Sequence, residues 1–508
     1  MSTDEPAAGA RPAPTPVRSL YAERMPRRTR TRTLDGWHDP DTVFRALHAE
    51  APYVVWLDGG ADATSGISVL AAAHRGSVFV TADAAAGTVT RATPVEADTE
   101  RVTHAASVFD VLAEGLRDVV ADEPGSGPLG WFGWFGYELG AHLNDVPVDR
   151  AETPDAAFLF VDRAIVFDHA ARSVRLTWLA AESELESGSG SDAGEAWAGE
   201  VEAAIAAIEA SDVGLTAPDT GLRADASTDG PAVRWRHDPD RYAELIAACK
   251  AAIIRGDAYQ LCLTNRIDVD TRPDPLATYL ALRASSPSHH GGYLRFGDLA
   301  LLSASPEQFL HVSADGVVST RPMKGTRPRS IDGARDAALR RELLESEKER
   351  AENLMIVDLM RNDLGRIAEL GTVAVPSLLD VEEYAHVYQL VSTVQARLRH
   401  PLTALDVVQA AFPAGSMTGA PKRSAMTILH ELEAGPRGVY SGAFGYLGID
   451  GSADLAMVIR SIVLTPSGAS IGTGGGITAL SVADEEIEET RVKARALLAV
   501  LDAASDPR

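Results

Sequence analysis

One segment of the sequence places an amine and a carboxylic acid where they could act on one substrate. In Ser305–Arg329, Asp315-Gly316 stands between two apolar runs and predicts a β-hairpin. Counting outward from that turn, Glu307 faces Lys324 across the two strands, with Cβ atoms about 5 Å apart. The pair is open to two interpretations. It is either a surface ion pair or a nucleophilic amine beside a proton donor, because partial burial lowers the pKa of an amine and raises that of a carboxyl group.

Three carboxylates on two predicted helices form a second group. Glu352 lies on a helix predicted over Ser346–Met360, and Glu486 and Glu489 lie one turn apart on the last helix. Lys493 follows on the same face as Glu489. Carboxylates that converge from separate helices suit Mg²⁺, which takes oxygen ligands and completes its shell with water and an anionic substrate. Alone, the pattern is usually that of a solvated helix face with i,i+4 ion pairs.

Three further features could contact an anion. The glycines of Gly472–Gly476 would let the backbone approach a ligand and offer N–H groups to a carboxylate, or they form a sharp turn. The segment Gly415–Lys422 precedes a predicted helix, so it caps that helix or presents N–H groups to an anion. Arg460 lies in an apolar strand pattern and needs an anionic partner, either a bound carboxylate or an acidic residue of the fold.

The elements that must position these residues differ between the two halves of the chain. Residues 40–180 contain short runs rich in Val, Phe and Trp, bounded by Gly and Asp, which predict strands. Later, Asp238 and Pro239 begin a predicted helix that Gly256 ends. Helices and strands there occur in blocks rather than in strict alternation. The sequence therefore predicts the α+β class.

Composition changes divide the chain into four regions. Residues 1–36, rich in Pro, Ala and Arg, are expected to be a poorly ordered lead-in. Residues 37–180 form an N-terminal region of predicted strands. Residues 181–236 are expected to be an acidic linker that carries an Ala-rich helix at 196–210. Residues 237–503 contain all the candidate site residues.

Charge and cysteine content exclude several classes of function. The 508 residues include 47 Lys and Arg against 72 Asp and Glu, a net charge of −25, which disfavours nucleic acid and anionic membranes as partners. The two cysteines, Cys249 and Cys262, exclude a disulfide framework and a cysteine-rich zinc or iron–sulfur site. Neither a signal peptide nor a membrane-spanning run is recognisable, so we expect a cytoplasmic protein.

Several long motifs resemble one known family. From about Asp238 onward the chain resembles the chorismate-utilising enzymes in RPMKGTRPR, KERAENLMIVDLMRNDLGRI, FPAGSMTGAPKRSAMTILHELE, YSGAFGYLG, VIRSIVL, GTGGGI and the final E-x-x-E-x-x-x-K. The region 37–180 resembles the N-terminal region of anthranilate synthase component I more loosely, through VVWLDGG and GWFGWFGYELG. The resemblance implies the fold of these enzymes, in which antiparallel β-sheets pack as a sandwich with outer helices.

Three positions distinguish the branches of the family. Lys324 is typical of aminodeoxychorismate synthases, whereas anthranilate and isochorismate synthases carry Ala there. Gln260 stands where isochorismate and salicylate synthases have a water-activating Lys. Gln389 stands where anthranilate synthases have a His linked to pyruvate elimination, and Gln cannot serve as an acid or base. The resemblance is therefore closest to aminodeoxychorismate synthase component I.

The resemblance implies roles for the candidate residues. Lys324 would attack C2 of chorismate while Glu307 protonates the departing C4 hydroxyl, and ammonia would then add at C4 and displace the lysine. Mg²⁺ would be held by Glu352 and Glu489 with Glu486 nearby. The implied substrate-binding residues are Gly325, Thr326, Tyr440, Arg460, Gly474, Gly475, Gly476 and Lys493.

The resemblance also implies a partner, and it leaves alternatives. Ammonia would come from a separate glutamine amidotransferase subunit, because neither Cys249 nor Cys262 lies in an amidotransferase context. The product would serve para-aminobenzoate and folate synthesis or a secondary metabolite. Anthranilate synthase component I or 2-amino-2-deoxyisochorismate synthase activity is an alternative. A catalytically silent chorismate-binding regulatory subunit is an alternative of another class.

Overall fold

Two large β-sheets organise the structure, a computed structural model that describes residues 27–95, 101–117, 119, 128–181, 193–210, 231–384 and 387–505. Within these residues each sheet contains twelve strands, and the neighbouring strands pair antiparallel. Among the same residues, no helix is both long and apolar enough to cross a membrane.

The strands are numbered in chain order. In the described residues they are β1 Arg27–Leu34, β2 Tyr53–Asp58, β3 Ile67–Ala72, β4 Phe79–Asp83, β5 Thr88–Ala92, β6 Arg101–Ala105, β7 Gly130–Phe135, β8 Ala156–Val161, β9 Arg163–Asp168, β10 Ser173–Ala181, β11 Val233–Trp235, β12 Gln260–Val269, β13 His290–Phe296, β14 Leu299–Ser305, β15 Gln308–Val312, β16 Val317–Thr320, β17 Met323–Pro328, β18 Ala374–Glu383, β19 Val387–Arg397, β20 Gly419–Ala420, β21 Ala443–Gly448, β22 Ala453–Met457, β23 Ser461–Thr465 and β24 Gly468–Ile477.

The helices of the described residues are numbered in the same way. They are α1 Pro40–His48, α2 Val108–Arg117, α3 Tyr137–Leu143, α4 Ala193–Ala210, α5 Pro239–Arg255, α6 Pro275–Ser285, α7 Gly333–Glu345, α8 Glu347–Gly365, α9 Ala404–Ala411, α10 Lys422–Glu433 and α11 Ala483–Ser505, with a short 3₁₀ helix at Gly415–Met417.

Both sheets combine strands from the two ends of the chain. Sheet 1 runs β1-β10-β9-β3-β2-β13-β14-β23-β24-β12-β11, with β20 paired to β12. Sheet 2 runs β17-β19-β16-β15-β22-β21-β7-β8-β4-β5-β6, with β18 paired to β19. Pairs in both sheets cross the proposed division at residue 236: β2 with β13 and β11 with β12 in sheet 1, and β7 with β21 in sheet 2. Residue 236 therefore remains a boundary proposed from the sequence, because each sheet contains strands from both sides of it.

The two sheets pack face to face through aromatic side chains. Phe296 of sheet 1 lies against Trp134 and Phe79 of sheet 2, with ring centroids 5.0 and 4.9 Å apart. On the outer face of sheet 1, Phe44 of α1 stacks on Trp56 of β2 at 5.0 Å. These contacts confirm the predicted sandwich of antiparallel sheets with outer helices.

Local capping signals predicted two helices of the second half well. The Asp238 side chain accepts from the Arg241 N–H at the start of α5, and Gly256 ends that helix with φ at +87°. Ser346 accepts from the Glu349 N–H at the start of α8, as predicted, but α8 continues beyond the predicted end at Met360.

The expectation of a poorly ordered lead-in over residues 1–36 is wrong for its last part. Residues 27–34 form β1, which pairs with β10 at the edge of sheet 1. Alternate Arg and Thr residues suit a half-exposed edge strand, and Arg32 forms ion pairs with Glu195 and Glu202 of α4. Residues 1–26 lie outside the described part of the chain.

We expect the buried Asp58–Arg283 ion pair to stabilise the whole fold, because it joins β2 of the first half to α6 of the second. Arg283 Nε donates to Asp58 Oδ2 at 2.5 Å, and the Tyr279 hydroxyl donates to the same oxygen at 3.0 Å. Replacing Arg283 by Met should lower the free energy of unfolding by about 3–5 kcal/mol, since it leaves a buried carboxylate without its cation. Urea unfolding would measure this. The exposed Arg272→Met is the control, and equal stability of the two variants would contradict the prediction.

Candidate active site

The predicted hairpin forms, but its register differs from the expected one by a residue. β15 pairs with β16 so that His311 faces Ser319, and the pairing ends before Glu307. Lys324 lies on β17, which continues along β19 beyond β16 and pairs Lys324 with Leu390. Glu307 and Lys324 are therefore not cross-strand partners. The two groups still interact electrostatically: Lys324 lowers the pKa of Glu307, and Glu307 raises the pKa of Lys324.

The shift in register comes from the loop. The Ser313 N–H donates to the Val317 carbonyl at 2.9 Å, so the loop contains Ala314, Asp315 and Gly316. Gly316 adopts φ of +80°, which suits a three-residue hairpin loop with glycine in the left-handed region. The sequence predicts a two-residue turn. The structure has one more residue in the loop, so every residue pair between the two strands is displaced by one position.

Glu307 is a buried acid held by a hydroxyl group. Its side chain is buried, and Ser416 Oγ donates to Glu307 Oε1 at 3.0 Å. Burial raises the pKa of Glu307, while Lys324, the Ser416 hydrogen bond and Lys493 oppose that rise. Because its pKa stays raised, Glu307 accepts a proton more readily than an exposed carboxylate, which suits it to act as a proton donor afterwards.

Lys324 differs from its expected protonation state. Burial disfavours its charge, but the carboxylates of Glu352, Glu307 and Glu489 together raise the pKa of Lys324 above its ordinary value. The sequence had suggested that burial alone would favour a neutral amine. The correction is that several carboxylates surround the ammonium group and outweigh desolvation, so the ligand-free protein holds Lys324 charged.

A bulge follows Lys324 along β17. The pairing with β19 shifts at Gly325, which adopts φ of +78°. A Cβ atom on Gly325 would lie 2.7 Å from Leu343 Cδ1 of α7 and 2.9 Å from Glu349 Cδ of α8. Glycine is therefore required by both conformation and space. Thr326 pairs with Gln389 of β19 and is exposed.

The three predicted metal carboxylates lie on α8 and α11 as expected. Glu352 and Glu486 are buried, whereas Glu489 is 44% exposed. Burial opposes the charge of Glu489, but Lys493, Lys348 and Lys324 hold the pKa of Glu489 below its ordinary value. Burial raises the pKa of Glu352, and Lys324 opposes this.

The donor set suits a hard cation, although it is not gathered into a closed cage. Among the described residues, no three His, Cys, Asp or Glu side chains are close enough together to hold a metal ion. Two carboxylates nevertheless converge over Gly475: a Cβ atom there would lie 2.9 Å from Glu486 Oε2 and 3.8 Å from Glu489 Oε1. Carboxylate oxygens of this kind, with positions left for water and substrate, fit Mg²⁺.

The glycine motif lies in a strand and not in a sharp turn. Gly474, Gly475 and Gly476 belong to β24 and pair with β12. The pairing of β24 with β23 ends at Ile471, so the described residues provide no strand partner for the other edge beyond that point. That edge is where a ligand could meet the backbone. Lys493 Nζ donates to the Gly474 carbonyl at 2.7 Å and lies 2.6 Å from Glu489 Oε1.

Two side chains lie directly against these glycines. A Cβ atom on Gly472 would lie 2.0 Å from the ring of Tyr440, and one on Gly476 would lie 2.1 Å from Gln260 Nε2. Gln260 is buried, and its Oε1 has no hydrogen-bond partner in the described part of the protein. Burial raises the pKa of Tyr440, which keeps its hydroxyl group neutral and able to donate.

Arg460 lies in a turn, and the predicted strand position is wrong. β22 ends at Met457 and β23 begins at Ser461, with Arg460 between them at φ of +51°. A left-handed backbone at a non-glycine residue costs of order 1–3 kcal/mol, so the surrounding structure must hold it. Tyr440 and Glu489 interact electrostatically with the guanidinium group of Arg460. Arg460 therefore belongs to the same cleft as the glycine strand.

Two residues of the cleft were missed by sequence reasoning. Lys348 Nζ lies 3.4 Å from Glu486 Oε1, and Glu486, Glu352 and Glu489 raise the pKa of Lys348 against the effect of its burial. Its position one turn before Glu352 on α8 was an available signal. Ser416 belonged to a segment that the sequence singled out, but only the structure shows that its hydroxyl group contacts Glu307.

The family model for chorismate binding enzyme matches residues 95–499, most of the chain. The chain belongs to the chorismate binding enzyme family. The match spans Glu307, Lys324, the carboxylates of α8 and α11, and the glycine strand. The cleft described above is therefore the candidate active site of a chorismate-binding enzyme.

Relatives with two different names are similar to this chain. The aminodeoxychorismate synthase of Streptomyces griseus is 42% identical over 98% of this chain and 68% of its own length. Two further aminodeoxychorismate synthases and one protein named as a probable aminodeoxychorismate synthase are matched over 44% to 64% of their lengths. Anthranilate synthase component 1 of Streptomyces coelicolor is 39% identical over 76% of each chain. The solved anthranilate synthase component I of Streptococcus pneumoniae is 29% identical, covers 86% of this chain and 93% of its own, and superposes with a TM-score of 0.68.

The charge of Lys324 should depend on its carboxylate neighbours. Glu352→Gln removes the first of them while keeping a similar shape, so the pKa of Lys324 should fall. NMR of lysine side chains can follow this, because the chain has only five lysines. The exposed Glu347→Gln on the same helix is the matched control. An unchanged Lys324 titration in Glu352→Gln would show that these carboxylates do not set its charge.

Proposed function

We propose that this chain is the chorismate-aminating component of an aminodeoxychorismate synthase. It would convert chorismate and ammonia to 4-amino-4-deoxychorismate without releasing pyruvate. The observation that carries the proposal is the electrostatic interaction of Lys324 with Glu307, which would act as nucleophile and proton donor. The similarity to aminodeoxychorismate synthases over nearly the whole chain supports it.

Two glutamines in the cleft support this choice over the alternatives. Gln260 lies against Gly476, and Gln389 pairs across from Thr326. Neither amide can deprotonate water or shuttle a proton for pyruvate elimination. Anthranilate synthase remains the second candidate because relatives of that name are also similar.

The first chemical step would begin with a proton transfer inside the Glu307–Lys324 pair. In the resting protein the carboxylates favour a charged Lys324. Moving one proton from Lys324 to Glu307 creates a neutral amine and a protonated acid together, with no change in the net charge of the cleft. The amine then forms a bond to C2, the double bonds shift, and the C4 hydroxyl leaves as water with the proton from Glu307.

The second step would replace lysine by ammonia. Ammonia forms a bond to C4, the double bonds shift back, and the C2–N bond to Lys324 breaks. Glu307, left as a carboxylate by the first step, can accept the proton that the new amine releases. Covalent catalysis of this kind divides one difficult substitution into two easier ones.

The remaining residues of the cleft would bind the substrate carboxylates. Arg460 and Lys493 supply positive charge, and Tyr440 supplies a hydroxyl donor. We assign the rest of the contacts to Gly325 with Thr326 and to the backbone of Gly474, Gly475 and Gly476.

Mg²⁺ is the proposed cofactor. Glu352 and Glu489, with Glu486 nearby, would hold it by carboxylate oxygens. When bound, it would neutralise a substrate carboxylate and orient the ring. In the ligand-free protein, Lys348 lies beside Glu486 and Lys493 lies beside Glu489. Their ammonium groups balance the negative charge of these carboxylates.

Ammonia would come from a separate glutamine amidotransferase subunit, with both proteins in the cytoplasm. Burial raises the pKa of Cys249 to about 12, and burial likewise raises the pKa of Cys262. A thiol that stays protonated is a poor nucleophile for glutamine hydrolysis. The product would feed para-aminobenzoate and folate synthesis or a secondary metabolite.

Product analysis tests the proposal. The purified chain with chorismate, Mg²⁺ and ammonium near pH 9 should form 4-amino-4-deoxychorismate, whereas glutamine alone should support no turnover. Excess chelator should stop the reaction. Anthranilate or 2-amino-2-deoxyisochorismate as the product would establish the alternative activities. No conversion of chorismate under any of these conditions would favour the silent regulatory subunit.

Lys324→Ala should reduce amination at C4 by at least about 100-fold, because it removes the covalent step. The measurement is the rate of product formation, together with mass spectrometry of wild-type protein trapped during turnover, which should show an adduct on Lys324. Arg335→Ala, at an exposed position on α7, is the control and should keep the wild-type rate. Normal amination by Lys324→Ala would rule out its role as nucleophile.

A further inference from the structure

Lys422 begins α10 and lies at the base of the loop that carries Ser416. Its ammonium group donates to the carbonyl of Ala411, the last residue of α9, at 2.7 Å, and to Asp363 Oδ2 at 2.8 Å. The side chains of Lys422 and Asp363 are 12% and 6% exposed. One ammonium group therefore joins the end of α9 and the start of α10 to α8, the helix that also carries Glu352.

The two halves of loop 412–421 are held by different contacts. In the second half, the Cys262 N–H donates to the Thr418 carbonyl at 2.9 Å, and Gly419 pairs with β12. The first half leaves α9 at Ala411, where Lys422 supplies a charged donor to a carbonyl at the helix end.

The first half has two further polar contacts at its base, and one of them is the Phe412 N–H, which donates to the Val408 carbonyl of α9 at 2.9 Å. Asn144 Nδ2 donates to the Phe412 carbonyl at 3.2 Å, which is a longer bond from a neutral group. Charge-assisted hydrogen bonds are roughly twice as strong as neutral ones. Lys422 is therefore a charged donor where the chain leaves α9. Arg437 Nη1 holds the other side of Ser416 by donating to the Met417 carbonyl at 2.7 Å.

We propose that Lys422 is a positioning residue that holds loop 412–421 so that Ser416 donates to Glu307. The claim that this contact supports a general acid rests on the proposed function. The contact itself is present whatever reaction the protein catalyses. A hydroxyl–carboxylate bond has its best geometry below about 3 Å, so moving the loop by roughly 1 Å would remove it. The Glu307 carboxyl group would then lose its fixed orientation toward the reacting hydroxyl.

A double-mutant comparison tests the proposal. The variants are Ser416→Ala, Lys422→Met and the two together, and the readout is the pKa of the Glu307 carboxyl group. Carbon-13 NMR of glutamate-labelled protein measures it, with Glu307→Gln as the assignment. Besides Ser416, the groups that face Glu307 are Lys324 and Lys493, and these are retained in every variant.

The Ser416 bond favours the carboxylate form, so its loss should raise the pKa of Glu307. We expect each single variant to raise it, and the double variant to raise it no further than Ser416→Ala alone. The turnover number for chorismate consumption should fall roughly 10-fold in each variant and in the double, with the KM changed less than about 2-fold. Additive effects, or an unchanged Glu307 titration in Lys422→Met, would overturn the proposal.

Two further variants keep the test decisive. Arg423→Gln, an exposed cation beside Lys422 on α10, should leave both readouts unchanged. If Lys422→Met does not fold, Asp363→Asn weakens the same contact without removing the lysine, and it should raise the Glu307 pKa by a smaller amount. An unchanged pKa there would also overturn the proposal. The NMR titration needs no turnover, so failure of the wild type to consume chorismate would count against the proposed function only.

Discussion

The candidate site depends on a balance between carboxylates and ammonium groups that share one partly buried cleft. Glu307, Glu352, Glu486 and Glu489 are close to three lysines, and burial acts against the charge on most of these groups. Burial opposes the charge of Glu307, Lys324 and Glu352 most directly, and their oppositely charged neighbours offset that cost. Together they form a network that is stable without a ligand. The lysines of the same network are available to pair with an anionic substrate, and its carboxylates are available to bind a cation.

The sandwich makes this balance possible by bringing distant segments to one place. Glu307 follows β14, Lys324 lies on β17, and the carboxylates lie on α8 and α11. Sheet 1 supplies the glycine strand and sheet 2 supplies the lysine strand, so the cleft lies where the two sheets and their outer helices meet. Rigid elements of this kind hold side chains within the tolerances that acid–base chemistry requires.

Sequence alone predicted the family and many helices and strands of the second half well. Caps such as Asp238 and Ser346 are local signals, and local hydrogen bonds decide where helices begin. Long motifs identified the family because they record residue types that a shared site requires. The α+β class and the sandwich were confirmed.

The failures of sequence reasoning have a common physical origin. The hairpin register was wrong by a residue because the loop conformation at Gly316 decides it. The charge of Lys324 was wrong because its carboxylate neighbours come from other elements. Arg460 was placed in a strand because apolar flanks look alike in a strand and in a buried turn. In each case the deciding contact is distant in sequence or depends on a backbone conformation that composition does not specify.

The pairing of β7 with β21 has a consequence for synthesis of the protein. β7 contains GWFGWF, and one of its two edges pairs with β21. That edge stays unpaired until residues 443–448 have emerged from the ribosome. At about 5–20 residues per second, that interval lasts tens of seconds or less. Throughout it, an aromatic strand with an open edge is available for wrong pairing with other chains. Efficient production of this enzyme should therefore depend on chaperones that cover the first half of the chain until the second half arrives.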